Sequence, residues 1–355
     1  MKYIYCAKID CMMRKNVGIL CLLLGLSLFW GCGEKQKKNP LGATGAPSSL
    51  MVVLPDGMDS GAIRDSIAGA FARPVFVLPQ KEPMQDLMYT TAGNFSAMFR
   101  SLRNILFVSI DPKRYTQPSV SIVRDQYADG QLLIHAKSES LDSFYRLLRV
   151  RGAQLSKYIY EEEIKRWESV LKQTYSSPFA GLVEQKIQGY TVNVPVEMKY
   201  SHEGEDFVWA SNMDGKRRLD FLVYTFPYSD ENTFTLDYLI HKRDSVLAQN
   251  VTGQYDGSYI TTEKRVPPAF RGFEYKGGYR AEIRGLWAMV NDMMGGPFVL
   301  HAMLDASQKR VVVAEALVYA PATKKRNLML LNEAALFTLR PVGSDFDTHT
   351  FPEEE

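Results

Sequence analysis

Residues 279–319 read YRAEIRGLWAMVNDMMGGPFVLHAMLDASQKRVVVAEALVY. Three apolar, β-favouring runs are visible, Tyr279 to Met289, Phe298 to Leu304 and Arg310 to Tyr319, and the short connections between them predict an antiparallel meander. Strands at Ser258 to Thr262 and Phe270 to Tyr275 precede it. A helix follows over Lys324 to Phe337, with Leu328, Leu331 and Ala335 on one side.

Working back from the meander, a helix over Leu236 to Ala248 carries Leu236, Leu239, Ile240, Arg243 and Leu247 along one face. Before it come strands at Phe207 to Ala210 and Leu219 to Phe226, a turn at Met213 to Lys216, a strand at Tyr190 to Val194 and a short helix around Ala180 to Ile187. Strands, helix, meander, helix is the layout of the small αβα sandwiches of the PsbP and Mog1 type, a likeness of architecture that carries no function.

The first half opens on Leu50-Met51-Val52-Val53-Leu54, an unbroken apolar run ending at Pro55-Asp56-Gly57, which predicts a strand buried on both faces. A helix follows, with Asp59 or Ser60 as its cap, Ile63, Ile67, Ala70 and Phe71 at helical spacing, and Pro74 as its stop. Val75 to Leu78 reads as a short strand, Phe95 to Leu102 as a short helix and Asn104 to Ile110 as a strand. Ser119 to Arg124 and Gln131 to Ala136 form a hairpin through Ala128-Asp129-Gly130. From Glu139 to Tyr175 the period becomes helical, with Leu141, Phe144, Leu148, Leu155, Ile159, Trp167 and Leu171 on one face. Gly152 leaves one rod or two helices equally open. The fold class predicted is therefore α+β: two successive α/β-sandwich-like units with mostly antiparallel sheets.

The N-terminus is of another kind. Lys15 to Cys32, KNVGILCLLLGLSLFWGC, has a basic start and an apolar run of 14 residues from Val17 to Trp30. That is short of the roughly 20 residues of a membrane-spanning helix and fits the apolar core of a secretion signal. Cleavage before Cys32 would leave its thiol for lipidation, with the lipid bilayer as partner. Met12 or Met13, followed by Arg14-Lys15, makes a better start than Met1. Residues 33–48, GEKQKKNPLGATGAPS, have the composition of a flexible tether. The division predicted is a signal at 1–31, lipidated Cys32 and tether to 48, a first unit at 49–176, a second at 177–340 and an acidic tail at 341–355.

Composition removes several functions. All four cysteines, Cys6, Cys11, Cys21 and Cys32, lie in or before the signal, so the mature body has no thiol for disulfide, redox or zinc chemistry. The whole chain carries 42 basic and 40 acidic side chains; without Lys2, Lys8, Arg14, Lys15 and Asp10 the balance is 38 to 39, with no nucleic-acid footprint. His135, His202, His241, His301 and His349 are scattered and make no metal motif. No serine elbow, P-loop or dinucleotide glycine motif is present, and Ser169 to Lys172 matches S-x-x-K without its partner motifs. No cofactor is predicted.

Two groups of residues stand above this background. Gln80, Glu82, Arg103 and Asn104 are polar residues against apolar strands, either a ligand site or a turn capped by side chains. Arg280, Arg284 and Trp287 lead to Gly295 and Gly296. The two arginines are an even number apart and so share one sheet face. Guanidinium forks suit carboxylate or phosphate, and paired glycines would leave room for a ligand; a solvent-exposed arginine ladder is the competing reading.

Four short motifs occur in order behind the signal: Leu78-Pro79-Gln80-Lys81-Glu82-Pro83, Leu102-Arg103-Asn104-Ile105-Leu106, Arg284-Gly285-Leu286-Trp287 and Met294-Gly295-Gly296-Pro297-Phe298. Together they resemble the DUF4837 family, uncharacterised lipoproteins of the Bacteroidota. The resemblance implies a lipoprotein and transfers no catalytic residue. The resulting expectation is a membrane-anchored periplasmic protein, with exposure on the cell surface also open, that binds an envelope protein or small ligand without catalysing a reaction. The alternative is a hydrolase or lyase on envelope glycan or peptidoglycan, for which Glu82, Asp111 and Asp292 are candidate carboxylates. A purely structural lipoprotein is the third.

Overall fold

Two sheets share one long helix in the structure, a computed structural model that describes residues 42–346. Cys32, the signal, most of the tether and residues 347–355 of the acidic tail lie outside the described residues.

The first sheet has the order β2-β1-β3-β5-β4. β1 (Ser49–Leu54) is buried along its whole length, as its apolar run predicts. α1 (Gly61–Phe71) turns Ile63, Ile67, Ala70 and Phe71 into the core. β2 (Asp86–Thr91), β3 (Asn104–Ile110) and β5 (Leu132–Ser138) complete a run of parallel pairings with β1, and β4 (Ser119–Arg124) pairs antiparallel with β5 as the predicted hairpin. Pairings over the chain are mostly antiparallel, but this sheet is mostly parallel.

Three local expectations change. Val75 to Leu78 is a turn rather than a strand: Pro74 bridges to Pro83, Val77 has a positive φ of 59°, and Phe76 is 62 % exposed. The strand is β2 instead, whose half-buried edge position gives DLMYTT a weak apolar signal. Residues 97–101 form a 3-10 turn where a helix was expected over Phe95 to Leu102. The tether ends earlier than 48, because Gly42 and Thr44 bridge to Asp129 and Leu102, and Ala43 N–H donates to the Asp129 carbonyl at 2.8 Å.

α2 (Leu141–Gln173) is one unbroken helix of 33 residues, about 50 Å long at 1.5 Å per residue. Ser140 caps it, accepting from Ser143 N–H. Gly152 is neither a bend nor a break. A Cβ there would stand 2.6 Å from the Ala70 Cβ, so this glycine lets α1 approach α2. Gly152→Val is expected to cost about 1–3 kcal/mol through forced repacking. Urea denaturation of the variant and of Gly152→Val with Ala70→Gly measures it, and a double variant no more stable than the single one would refute the contact.

α3 (Ser177–Lys186) and the two-residue β6 (Tyr190–Thr191) lead into the second sheet. Its strands are β7 (Tyr200–Gly204), β8 (Phe207–Ser211), β9 (Arg218–Pro227), β10 (Tyr259–Thr262), β11 (Ala269–Tyr275), β12 (Gly278–Val290), β13 (Gly295–Asp305) and β14 (Arg310–Tyr319). The order is β10-β12-β13-β14-β9-β8-β7, with β11 on the same edge of β12 as β10; all pairings are antiparallel. β15 (Arg340–Pro341) pairs with β6. The predicted meander is β12, β13 and β14, and β7 is the strand that its exposed, polar sequence hides.

Alternation along these strands sorts the core into two faces. Val312, Ala314, Ala316 and Val318 of β14 face α3, α5 (Arg326–Thr338) and the end of α2, while Val311, Val313 and Leu317 face α4 (Leu236–Asn250). The second sheet is thus the middle layer of an αβα sandwich. α2 serves two cores: Phe144, Leu148, Leu155 and Ile159 pack on the first sheet, and Ile164 and Leu171 pack beneath the second.

Candidate binding cleft

β12 carries charge at every second position, Arg280, Glu282 and Arg284, between Ala281 and Ile283. Period two puts all three on the face that meets α5, so the predicted common face of the two arginines holds. Arg280 is 5 % exposed and donates to the carbonyls of Leu336 and Leu339, at 3.3 and 3.1 Å, closing the C-terminus of α5. Its guanidinium lies 4.0 Å from the centre of the Tyr275 ring, and burial pulls its pKa down to about 10. Arg280 is neither an exposed rung nor a ligand group.

Arg284 opens onto a cleft. Its Nε donates to Glu282 Oε1 at 2.8 Å and its Nη1 to Glu333 Oε2 at 3.0 Å, with a second, shorter bond from Nη2 to Glu333 Oε1. Arg271 of β11, opposite Glu282 in the sheet register, forks onto the same carboxylate with two bonds of 2.8 Å. Tyr160 of α2 donates its hydroxyl to Glu333 at 2.6 Å. His301 of β13 lies behind, its Nε2 3.3 Å from Glu282 Oε2.

Electrostatics follow from this packing. Burial pushes the Glu282 carboxyl up, but Arg284, His301 and Arg271 together outweigh it and hold it well below the ordinary carboxylate range. Burial alone would lower Arg284; the two carboxylates reverse this and raise it well above its ordinary value. Burial and then Glu333 raise the Tyr160 hydroxyl well above the usual phenol value, so it stays a proton donor at neutral pH. Burial keeps His301 neutral at pH 7. Two guanidiniums against two carboxylates leave this floor without net charge.

The cleft above the floor has a volume of about 280 Å³. Its walls include Met84, Ile164 and Phe337, and its mouth is set by Phe76, 62 % exposed, and Phe270, 38 % exposed. The turn that replaces the expected strand at Val75 to Leu78 is what brings Phe76 here.

The other predicted residues serve elsewhere. Trp287 sits on the opposite face of β12, 2 % exposed in the α4-side core, with its indole N–H donating to the Val318 carbonyl at 3.3 Å. Gly295 and Gly296 begin β13 opposite Ala288 and Trp287. A Cβ on Gly296 would lie 2.0 Å from the Val318 carbonyl oxygen, and one on Gly295 2.9 Å from the Trp287 carbonyl oxygen. The space expected for a ligand is filled by neighbouring backbone, and these three residues are packing.

Gln80 and Glu82 join the loop before β2 to α5. Glu82, 4 % exposed, accepts from the backbone N–H of Lys325 and Arg326 at 2.6 and 3.0 Å, a helix cap supplied from far along the chain. Gln80 accepts from the Lys325 ammonium, and Arg326 reaches back to the Pro83 carbonyl and Asp86, each at 2.6 Å. Arg103 and Asn104 meet Glu163 of α2 at 2.8 and 2.9 Å, and Arg166 closes the group at 2.6 Å from Glu163. Both sets are capped, hydrogen-bonded joints.

The cleft residues that sequence reasoning did not single out are Tyr160, Arg271, Glu282, Glu333 and the two phenylalanines. The charged alternation R-A-E-I-R in an apolar strand signals Glu282; Arg271 and Glu333 need the strand register and the helix docking. Glu82, Asp111 and Asp292 do not meet in this cleft: Glu82 caps α5, Asp111 accepts from Lys113 N–H after β3, and Asp292 lies in the β12–β13 turn. Among the described residues no group of three or more His, Cys, Asp or Glu could hold a metal ion. Among them, too, no helix is long and apolar enough to cross a membrane.

The family model of a domain of unknown function, DUF4837, matches residues 182–338, which contain the second sheet, α4 and α5. Residues 182–338 are a DUF4837 domain. The model of another domain of unknown function, DUF8532, matches residues 43–172, from the docked end of the tether through nearly all of α2. The four motifs divide accordingly, those at Arg284 and Met294 within the DUF4837 domain and those at Leu78 and Leu102 within the DUF8532 match. A search of curated proteins returned no match. The cleft draws its floor from the DUF4837 domain and Tyr160, Ile164 and the Phe76 turn from the segment before it.

Proposed function

We propose that this chain is a lipoprotein tethered through Cys32 to the periplasmic face of a membrane, where it binds an envelope protein or small ligand without catalysing a reaction. The observation that supports this reading is the pair Phe76 and Phe270, exposed at the mouth of an apolar-walled cleft with a charge-balanced floor. Exposed aromatic rings around a concave site are the usual anchor points of recognition. An apolar side chain or acyl group with a polar tip fits it, the tip meeting the Arg271 and Tyr160 side chains. The two floor carboxylates are each tied to arginine, which suits neither a general acid nor a free nucleophile, so the alternative of a glycan hydrolase or lyase gains no support from this cleft.

Photo-crosslinking tests the proposal. A benzophenone side chain placed at Phe76 or Phe270 of the full chain in intact cells is expected to give one discrete adduct. The same group at Val150, which is 77 % exposed on α2, is expected to give none. Identical patterns at all three positions would refute the cleft as a binding site. An unacylated Cys32 in the intact mass would refute the anchor.

A further inference from the structure

A second concavity lies between the β7 edge of the large sheet and the loop that follows α4. Its volume is about 630 Å³, inside the roughly 300–1,000 Å³ range of small-molecule sites. Tyr200 of β7, 41 % exposed, stands edge-to-face with Trp209 of β8, ring centres 5.3 Å apart. Trp209 is itself 6 % exposed and donates its indole N–H to Asp220 at 3.0 Å, so Tyr200 rests on a ring held by packing and a hydrogen bond. Asn250, Gln254 and Tyr319 also line the concavity. The lining is held close by Gly253, where a Cβ would fall 2.3 Å from Ser258 Oγ and 2.5 Å from Met289 Sδ.

Charge decides the ligand class. Arg218 lies 5.4 Å from the Trp209 ring centre but is paired with Asp220 at 2.9 Å, and Asp214 is taken up by the backbone N–H groups of Lys216 and Arg217. What remains is aromatic and methionine surface, the His202 imidazole and two carboxamides: Gln254, and Asn250, which spends one N–H on the Val246 carbonyl at 2.9 Å and keeps its oxygen as an acceptor. Aromatic faces attract the weakly positive C–H faces of pyranose rings, and carboxamides match vicinal hydroxyls, each of which donates and accepts. A phosphate or carboxylate would find no unpaired cation in this lining, and an apolar peptide would strand the amides.

We propose that this groove binds a short neutral oligosaccharide, independently of the Phe76 cleft. The test uses the full chain in a detergent without a sugar headgroup, titrated with chitotetraose, cellotetraose and tetragalacturonate and followed by tryptophan fluorescence and calorimetry. A neutral tetrasaccharide is expected to bind saturably. Tyr200→Ala is expected to weaken it about tenfold, the loss of one well-placed aromatic contact. Gln254→Ala is expected to weaken it too, both with unchanged circular dichroism, while Phe76→Ser leaves it unaltered. Absence of saturable binding by either neutral sugar, preference for the galacturonate, or indifference to both groove substitutions would overturn the proposal.

Discussion

Arg243→Leu is expected to destabilise the protein by about 3–5 kcal/mol, the usual loss when one partner of a buried ion pair is removed. Arg243 of α4 and Glu315 of β14 are both fully buried; Nε donates to Glu315 Oε1 at 2.8 Å, and Nη2 stands 2.6 Å from the same oxygen as an ion-pair contact. The same guanidinium donates to Thr262 at 3.0 Å and lies 3.9 Å from the centre of the Phe298 ring. Leucine would leave the Glu315 carboxylate in an apolar core without its cation. Burial already raises the Glu315 pKa, against the opposing pull of Arg243. In the variant the rise is larger, so the folded state takes up a proton more readily than the unfolded one and the deficit shrinks as pH falls from about 7.5 to about 5.5. Replacing both partners by apolar residues, Arg243→Met with Glu315→Leu, is expected to recover most of the loss. Guanidinium unfolding at both pH values measures all of this; a single variant losing less than about 1 kcal/mol would contradict the buried-charge account.

Glu163→Ala is expected to have an effect of the same size. The Glu163 side chain is fully buried where α2 crosses the ends of β1 and β3, between Arg103 and Arg166, whose side chains are each 18 % exposed. Asn104 donates to both Glu163 and the Ser49 carbonyl at 2.9 Å, and Arg166 also donates to the carbonyls of Gly130 and Arg103, at 2.8 and 3.1 Å. Removing the carboxylate leaves two guanidiniums facing each other with no anion between them. The cost is about 3–5 kcal/mol, and Glu163→Gln, which retains an acceptor oxygen, is expected to lose less. Thermal and urea unfolding rank the three proteins; an equal loss for both substitutions would assign the whole effect to the missing charge, and a loss below about 1 kcal/mol for Glu163→Ala would contradict the buried-charge account.

Glu163 and Arg243 also show how far the sequence could be read. Arg103 and Asn104 stand out as polar residues on an apolar strand, and the choice between ligand and joint rests on Glu163, some sixty positions away. Arg243 falls on the apolar face of a predicted helix, where its partner Glu315 is hidden in an unbroken strand. Strands that read as long apolar runs, β9 and β12 to β14, are legible because both their faces are covered. β2 and β7 are not, since edge strands bury too little to be marked by apolar residues. Gly152 and Gly296 carry the commonest ambiguity: a glycine needed for close approach and one needed for a bend look alike until the neighbour is known. Phe76 in the cleft mouth depended on a turn that its apolar neighbours disguised as a strand.

The double duty of α2 bears on the order in which the protein can be completed. Ile164 and Leu171, near the end of the segment matched by DUF8532, are 1 % exposed and belong to the core cluster built mainly by the DUF4837 domain. A chain made or threaded across a membrane from its N-terminus presents that flank before β9, β14 and α5 have arrived. Until they do, the finished first sheet carries a half-dressed helix, and a chaperone that shields apolar helical surface has its clearest target on the last four turns of α2.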